Sequence, residues 1–335
     1  MSHSTFFTRS RFGPLVRNLF AGMTLLLAQQ TQMAVAQEYP QKTIKWIVPY
    51  GAGGASDILA RILGEQVGNE LKQQIIIENR PGAGGTIGTA ALAKAAPDGY
   101  TLATADNSTL FNNWHLFNNL NYKQSDFEYV ATTVHLPLLL IVNTESNVNN
   151  YQEWLEWVKQ SPNKISYASP GIGSPHHIAM ETLSDRENIN MVHVPYRGDA
   201  AAMTDLVGGQ IQTALVGVAN ARQYQNDPRV RFLAVTWPSR LSSMPNVPTF
   251  EELGVKDFRG SAEQGIIMPA GVPKEIVNRW NAEITKALEI PAVREKLEVL
   301  GMYPVASTPE AFKSYVDERA KQAGEIIKKS GITVN

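Results

Sequence analysis

Two stretches sharing the letters GAGG, at Gly51 and again at Gly82, are the places where this chain could do chemistry with its backbone. The first sits in VPYGAGGASD, directly after the apolar run TIKWIV, and the second in RPGAGGTIG, directly after QIIIEN. Each leads into a stretch with helical spacing. A glycine-rich strand-to-helix turn lets backbone N–H groups approach a ligand, and the unpaired N–H groups of the helix carry partial positive charge. Such a turn suits an anion. The 31-residue offset is one βα unit, so the two loops should stand side by side at one sheet edge.

Sharper chemistries compete for the same residues. Gly51-Ala52-Gly53-Gly54-Ala55-Ser56 followed by Glu78 imitates a dinucleotide fingerprint, but the third glycine, which allows close helix–strand packing, is Ser56. Ser174 lies beside His176 and His177 in GIGSPHH, which raises a serine hydrolase. A nucleophile elbow needs Gly-x-Ser-x-Gly, however, and Pro175 follows instead. Serine then proline reads better as a helix N-cap with proline at the first position, making Gly171, Gly173 and Ser174 a third anion-accepting turn. Adjacent histidines point to different sides of a helix, and neither they nor His193 have a carboxylate or cysteine at ligand spacing; structural roles fit them better than a metal. Arg197 in VPYRGDAA could grip a carboxylate or form a surface ion pair. Trp154 and Trp157, three apart, read as packing.

The elements that would position these groups alternate along the chain. TIKWIV, the amphipathic SDILARILGEQVGNEL, QIIIEN, TAALAKAA and TLATA give β-α-β-α-β, and FEYVATTV and PLLLIVN add strand material. A second βα set begins near Asn143. After the proline-rich WPSRLSSMPNVPTFEELG, GIIMPA returns as a strand before a helical tail. Two such sets imply two α/β lobes with mainly parallel sheets flanked by helices, and a ligand between their strand ends.

At 335 residues, 43% apolar and 18% charged, the chain has enough length for two domains. A formal charge of −1 and no charge run argue against nucleic acid. The first 36 residues carry Arg9, Arg11 and Arg17 and no acid, then the apolar LFAGMTLLLA and a small-x-small AVA ending at Ala36. That is the pattern of a secretory signal peptide, too short to span a membrane. Its removal leaves 27 basic against 31 acidic residues. Zero cysteines suits an oxidising compartment.

Taken together, YPQKTIKWIVPYGAGGASDILAR, ENRPGAGGTIGTAALAKAAPDGYTL, YASPGIGSPHH, VHVPYRGDAAAMTDLVGGQ and VPTFEELG resemble the extracytoplasmic receptors of tripartite tricarboxylate transporters, the Bug type. The resemblance runs from Tyr39 to the tail. It implies a two-lobed, Venus-flytrap periplasmic binding protein, a monomer and not an enzyme, without metal or cofactor, that delivers a small carboxylate to membrane transporter subunits. Lobe 1 would be 37–142 with 260–335, and lobe 2 would be 143–259. The implied ligand contacts are Tyr50, Gly51, Ala52, Gly53, Gly54, Ser56 and Asp57 in the first loop, and Gly84, Gly85 and Thr86 in the second. Asn107 joins them. On the other lobe they are Ser169, Gly171, Gly173 and Ser174, supported by Tyr196, Arg197 and Ala200. An exported hydrolase using Ser174 and a ligand-sensing receptor for a signalling partner are the alternative functions.

Two departures from the family pattern bear on the ligand. Relatives commonly carry an aspartate in the turn after GGQ, able to pair with an amino group; here that place falls at Val216–Gly217, which disfavours an amino-acid ligand. Glu263 and Gln264, in SAEQG, stand where relatives often have aromatic residues. A rigid aromatic acid or an aliphatic dicarboxylate is the expected ligand class.

Overall fold

The structure, a computed structural model, describes Met1 and residues 39–196, 198–258 and 260–334. The expected leader, Arg197 and Arg259 lie outside the described residues. The chain divides into a short unit, Met1–Gln41, and a second, Lys42–Asn335, which holds all the elements below.

The second unit contains two mixed sheets. The first is ordered β11-β4-β10-β3-β1-β2, from β1 (Ile44–Val48), β2 (Ile75–Asn79), β3 (Thr101–Asp106), β4 (Phe127–Leu136), β10 (Ala262–Pro269) and β11 (Tyr303–Pro304). The second is ordered β7-β6-β8-β5-β9, from β5 (Leu138–Asn143), β6 (Ser166–Ser169), β7 (Val192–Pro195), β8 (Thr213–Gly217) and β9 (Val230–Val235). β1 runs parallel to β2 and β3, and β6 runs parallel to β7 and β8. The remaining pairs are antiparallel, so the sheets are less parallel than the βα alternation implies. The cause is connectivity. The chain leaves the first sheet along β4 and re-enters along β10, so β10 runs against both β3 and β4. The same round trip sets β5 against β8 and β9.

The first passage falls at Pro137, between β4 and β5, earlier than the boundary expected at Asn143, because β5 already pairs in the second sheet. The return runs through 236–261, the segment that contains the boundary expected near Arg259.

β1 is an almost unbroken apolar run because helices cover both faces: Ile44, Trp46, Ile47 and Val48 are buried. Helix α1 (Ala55–Leu71) buries Leu59, Ile62, Leu63 and Val67 on one stripe and ends at Lys72 in the left-handed conformation. Helix α2 (Thr86–Ala93) follows the second glycine loop, and a short α3 (Asn113–Leu116) precedes β4. The second sheet carries α4 (Tyr151–Gln160), α5 (Pro175–Glu187), α6 (Asp199–Val207) and a short α7 (Val218–Ala221). The tail forms α8 (Lys274–Glu289), α9 (Pro291–Val299) and α10 (Pro309–Lys329) on the first sheet's side. Trp280 of α8 meets Trp46 of β1 edge to face, centroids 6.2 Å apart. Trp154 is fully buried in the second sheet's core and donates to Thr213 Oγ1 at 3.2 Å, as the packing reading expects.

Candidate functional site

Both glycine loops stand at the carboxyl ends of the adjacent parallel strands β1 and β2, and Arg80 N–H donates to Val48 O at 2.8 Å between them. The first loop enters α1 with no side-chain cap. The first bond of the helix is Ile58 N–H to Gly54 O, which leaves the N–H groups ahead of Ile58 without helical partners. Asp57, 2% exposed, is turned inward and takes Gly53 N–H, Arg61 and Asn79, each at 2.9 Å. Arg61 first, then these N–H groups, outweigh burial and hold its carboxyl at about 2. Asp57 therefore shapes the first glycine loop from behind it. Asp57→Ala strands several donors and is expected to cost about 2–3 kcal/mol by chemical denaturation while weakening ligand binding. An unchanged affinity would show that the loop needs no such support.

The second loop reaches the site through Tyr50. Gly85 has φ +88, and a Cβ there would lie 2.7 Å from Thr109 Cγ2 and 3.0 Å from Tyr50 Oη. Only glycine permits this approach. Tyr50 Oη donates to Asp106 Oδ1 at 2.7 Å, and Thr109 N–H donates to the same carboxylate at 3.1 Å. Burial and then the Asp106 charge push the Tyr50 phenol well above its usual value. Burial likewise raises Asp106, against its hydrogen bonds.

Between the two sheets lies a cavity of ≈ 680 Å³. Of the residues expected from sequence, Tyr50, Gly53, Gly54 and Ser56 line it. Asp57, Gly84, Gly85 and Thr86 stand behind or beside that wall, and Gly51 and Ala52 are exposed in the loop. Asn107, 2% exposed, serves the return of the chain: its Oδ1 accepts Glu263 N–H at 2.5 Å and its Nδ2 donates to Ser261 O at 3.3 Å.

On the second sheet's side, Ser174 is the N-cap of α5 and accepts from His177 N–H at 3.3 Å, with Pro175 at the first position. The turn before it is satisfied internally. Gly171 N–H donates to Ser169 Oγ at 3.2 Å and Gly173 N–H to His177 Nδ1 at 3.1 Å. Pro170, Pro175 and His176 consequently line the cavity in place of Ser169, Gly171, Gly173 and Ser174. Tyr196 turns away to donate to Asp205 Oδ2 at 2.9 Å, and Ala200 is exposed. Behind this wall His177 and His193 stack with centroids 3.6 Å apart, and burial brings both down to about 4. No cluster of metal-ligating side chains occurs among the described residues.

Several lining groups were not singled out from sequence as ligand contacts. Asp199 Oδ2 accepts Gly217 N–H and Asn220 Nδ2, both at 3.1 Å, and lies 3.4 Å from His176 Nε2. Burial works to raise that carboxyl, but the His176 ring and the two N–H groups outweigh it and hold it below the usual range. The turn after GGQ, acid-free in sequence, thus receives an acid in space from the start of α6. Glu263 and Gln264 also face the cavity, as do Leu300, Gly301 and Met302 from the tail. A Cβ at Gly301 would lie 2.9 Å from Ala219 N, so the tail fits closely against the β8–α7 turn. Glu78, the mimic of a ribose-binding acid, pairs with Lys45 at 3.0 Å and with Arg80.

Two α/β lobes on two sheets, with helix N-termini facing a cavity between them, form a concave site suited to a small ligand. The chain belongs to the tripartite tricarboxylate transporter receptor family, whose model matches residues 59–332. Among solved structures it is similar to the periplasmic binding protein BugD, with 32% identity, a TM-score of 0.72, and coverage of 88% of this chain and 100% of that one. It is similar to Rpa4515 of R. palustris with adipate, with 25% identity, a TM-score of 0.76, and coverage of 89% and 100%. It is also similar to MatC of Rhodopseudomonas palustris with bound malate, with 29% identity, a TM-score of 0.72, and coverage of 86% and 100%.

Proposed function

We propose that this chain is a periplasmic receptor that closes its two lobes on one small carboxylate and presents it to the membrane subunits of a tripartite tricarboxylate-type transporter. The observation that carries this reading is the cavity into which α1 projects its uncapped N-terminus from one sheet while α5, α6 and the β8–α7 turn face it from the other. Neutral backbone donors attract an anion without an ion pair that would slow its release. The adipate and malate held by similar receptors support a carboxylate as the ligand. The leader pattern over 1–36 supports export. Lobe 1 then comprises the first sheet and the tail, lobe 2 the second sheet, and closure is driven by the difference in ligand contacts between open and closed forms.

A thermal-shift screen of the purified protein against aliphatic and aromatic mono-, di- and tricarboxylates, amino acids and nucleotides tests this. A carboxylate at 100 times its dissociation constant should add roughly 2.7 kcal/mol, a rise of a few degrees for a chain of this size. Shifts confined to nucleotides would overturn the reading.

A further inference from the structure

β2 ends the first sheet, and among the described residues it is the sheet edge that nothing blunts. The other three edges carry the usual protections against pairing with another chain. β11 is two residues long and ends in Pro304, and β7 ends in Pro195. β9 carries Arg231 and is covered at Val235, whose N–H donates to Pro248 O at 2.9 Å and whose carbonyl accepts Phe250 N–H at 3.1 Å. β2 reads IIIEN, with no proline, lysine or arginine. Ile44 N–H donates to Gln74 O at 2.9 Å and Arg80 N–H to Val48 O at 2.8 Å. The parallel ladder between these two bonds turns the backbone groups of Ile76 and Glu78 toward β1 and those of Ile75, Ile77 and Asn79 outward. The side chains of Ile75 and Ile77 lie against α1: a Cβ at Gly68 would stand 3.6 Å from Ile75 Cγ1, and one at Gly64 3.4 Å from Ile77 Cδ1. Ile76 is on the opposite face with Glu78 and is 48% exposed.

Any incoming strand could bond to the outward N–H and C=O groups, so the side chains decide which strand fits. We propose that a second copy of this chain pairs here, its β2 antiparallel to this one about a two-fold axis through Ile76, so that the two first sheets join into one. In that register Ile75 stands opposite the partner's Ile77, and Ile76 meets the partner's Ile76 at a close, non-hydrogen-bonded position. Exposed Gln74, a donor, stands opposite the partner's Glu78, an acceptor. Glu78 already has Lys45 at 3.0 Å and Arg80 beside it, so no bare like charges face each other across the seam. An axis through Ile77 would match the same backbone groups, but it sets Ile76 against Glu78 and Ile75 against Asn79, apolar against polar each time. With the axis at Ile76 the segment is its own complement, which is what a contact between identical copies requires. The pairing departs from the monomer that the family resemblance implies, and it uses no residue of the cavity between the sheets.

The chain has no cysteine, so Ile76→Cys introduces a single thiol. Across the proposed axis its Cα lies about 4.5 Å from its counterpart, within the span of roughly 4.4–6.8 Å that a disulfide bridges. Mild oxidation of the purified variant should convert most of it to a linked dimer. Gln74→Cys lies about 14 Å from its own counterpart, so it should stay unlinked alone and link when mixed with Glu78→Cys. Sedimentation of the unaltered protein should show a dimer as its concentration rises to about 100 μM, and Ile76→Lys, which sets two like charges against each other, should sediment as a monomer. A thermal melt of Ile76→Lys matching that of the unaltered protein would separate lost pairing from lost folding. Linking of Gln74→Cys alone as efficient as that of Ile76→Cys overturns the register. An unaltered protein that is monomeric throughout, with Ile76→Cys unlinked, overturns the pairing and leaves this edge to a strand of another protein.

Discussion

Between pH 7 and pH 4 the protein is expected to lose about 3 kcal/mol of folding stability through His177 alone, because burial holds its ring down at about 4. Burial takes the ring from its ordinary 6.5 to about 4 in the folded state. The unfolded chain binds the proton below pH 6.5 while the folded chain refuses it until about pH 4, so stability is full above 6.5 and drains as the pH falls between those values. His193, stacked on His177, is lowered by burial and then by the His177 charge, and acts in the same direction. Depressed carboxyls such as Asp57, at about 2, release their share only at lower pH, so the two windows separate.

The proton that eventually binds His177 has a structural consequence. Nδ1 accepts Gly173 N–H, so charging the ring removes the acceptor that holds the turn before α5. Urea titrations at pH 7.5, 6, 5 and 4 of the unaltered protein and of His177→Gln would measure this. The variant should show a stability–pH slope shallower by about 2–3 kcal/mol over the range. Equal slopes would mean that His177 is already solvated.

Gly173→Val should reduce ligand affinity by roughly 100-fold, about 2.7 kcal/mol, while each lobe keeps its own core. Gly173 has φ +73, which a β-branched residue adopts only under strain of about 1–2 kcal/mol. A Cβ there would also stand 2.3 Å from Leu116 Cδ1, which belongs to the other lobe and is 7% exposed. Gly173 O accepts Asn112 Nδ2 at 3.0 Å across the same junction. The intruding branches hold the lobes apart at the place where they meet. Overpacking of this kind costs about 1–3 kcal/mol, and the penalty falls on the closed arrangement.

The decisive comparison is a cycle of Gly173→Ala and Leu116→Ala, read by calorimetric affinity. Combining them should recover part of the loss, because truncating Leu116 vacates the colliding methyl. The residual deficit reports the backbone strain. Affinity unaffected by Gly173→Val would show that this junction does not tighten around ligand.

The first glycine loop was legible as a strand-to-helix turn because its causes are local. An apolar strand, glycines that permit the turn, and an uncapped helix start are all consecutive, and they recur one βα unit later. Ser174 could be read as a cap for the same reason. The loop 169–174 misled in one respect. Its glycines and serine have the composition of an anion cradle, but their N–H groups are consumed by Ser169 and by His177, and no sequence pattern reveals that an imidazole four residues on will turn back to accept from Gly173.

The sequence by itself determined the two βα sets, the backbone loops that end their strands, the serine cap of α5 and the family to which the chain belongs. The first three follow from propensity, periodicity or turn chemistry acting within about ten residues, whereas the family rests on the resemblance of whole motifs spread along the chain. Only the tertiary structure decided what faces the cavity between the sheets from the far side of the chain. Asp199 reaches Gly217 across 18 positions, Asn107 pins Glu263 across 156, and the tail at Gly301 closes on Ala219. Those placements come from the round trip of the chain between the sheets. That route reverses β10 and turns Glu263 and Gln264 inward, and a contact made by such a route leaves no period in the sequence to read.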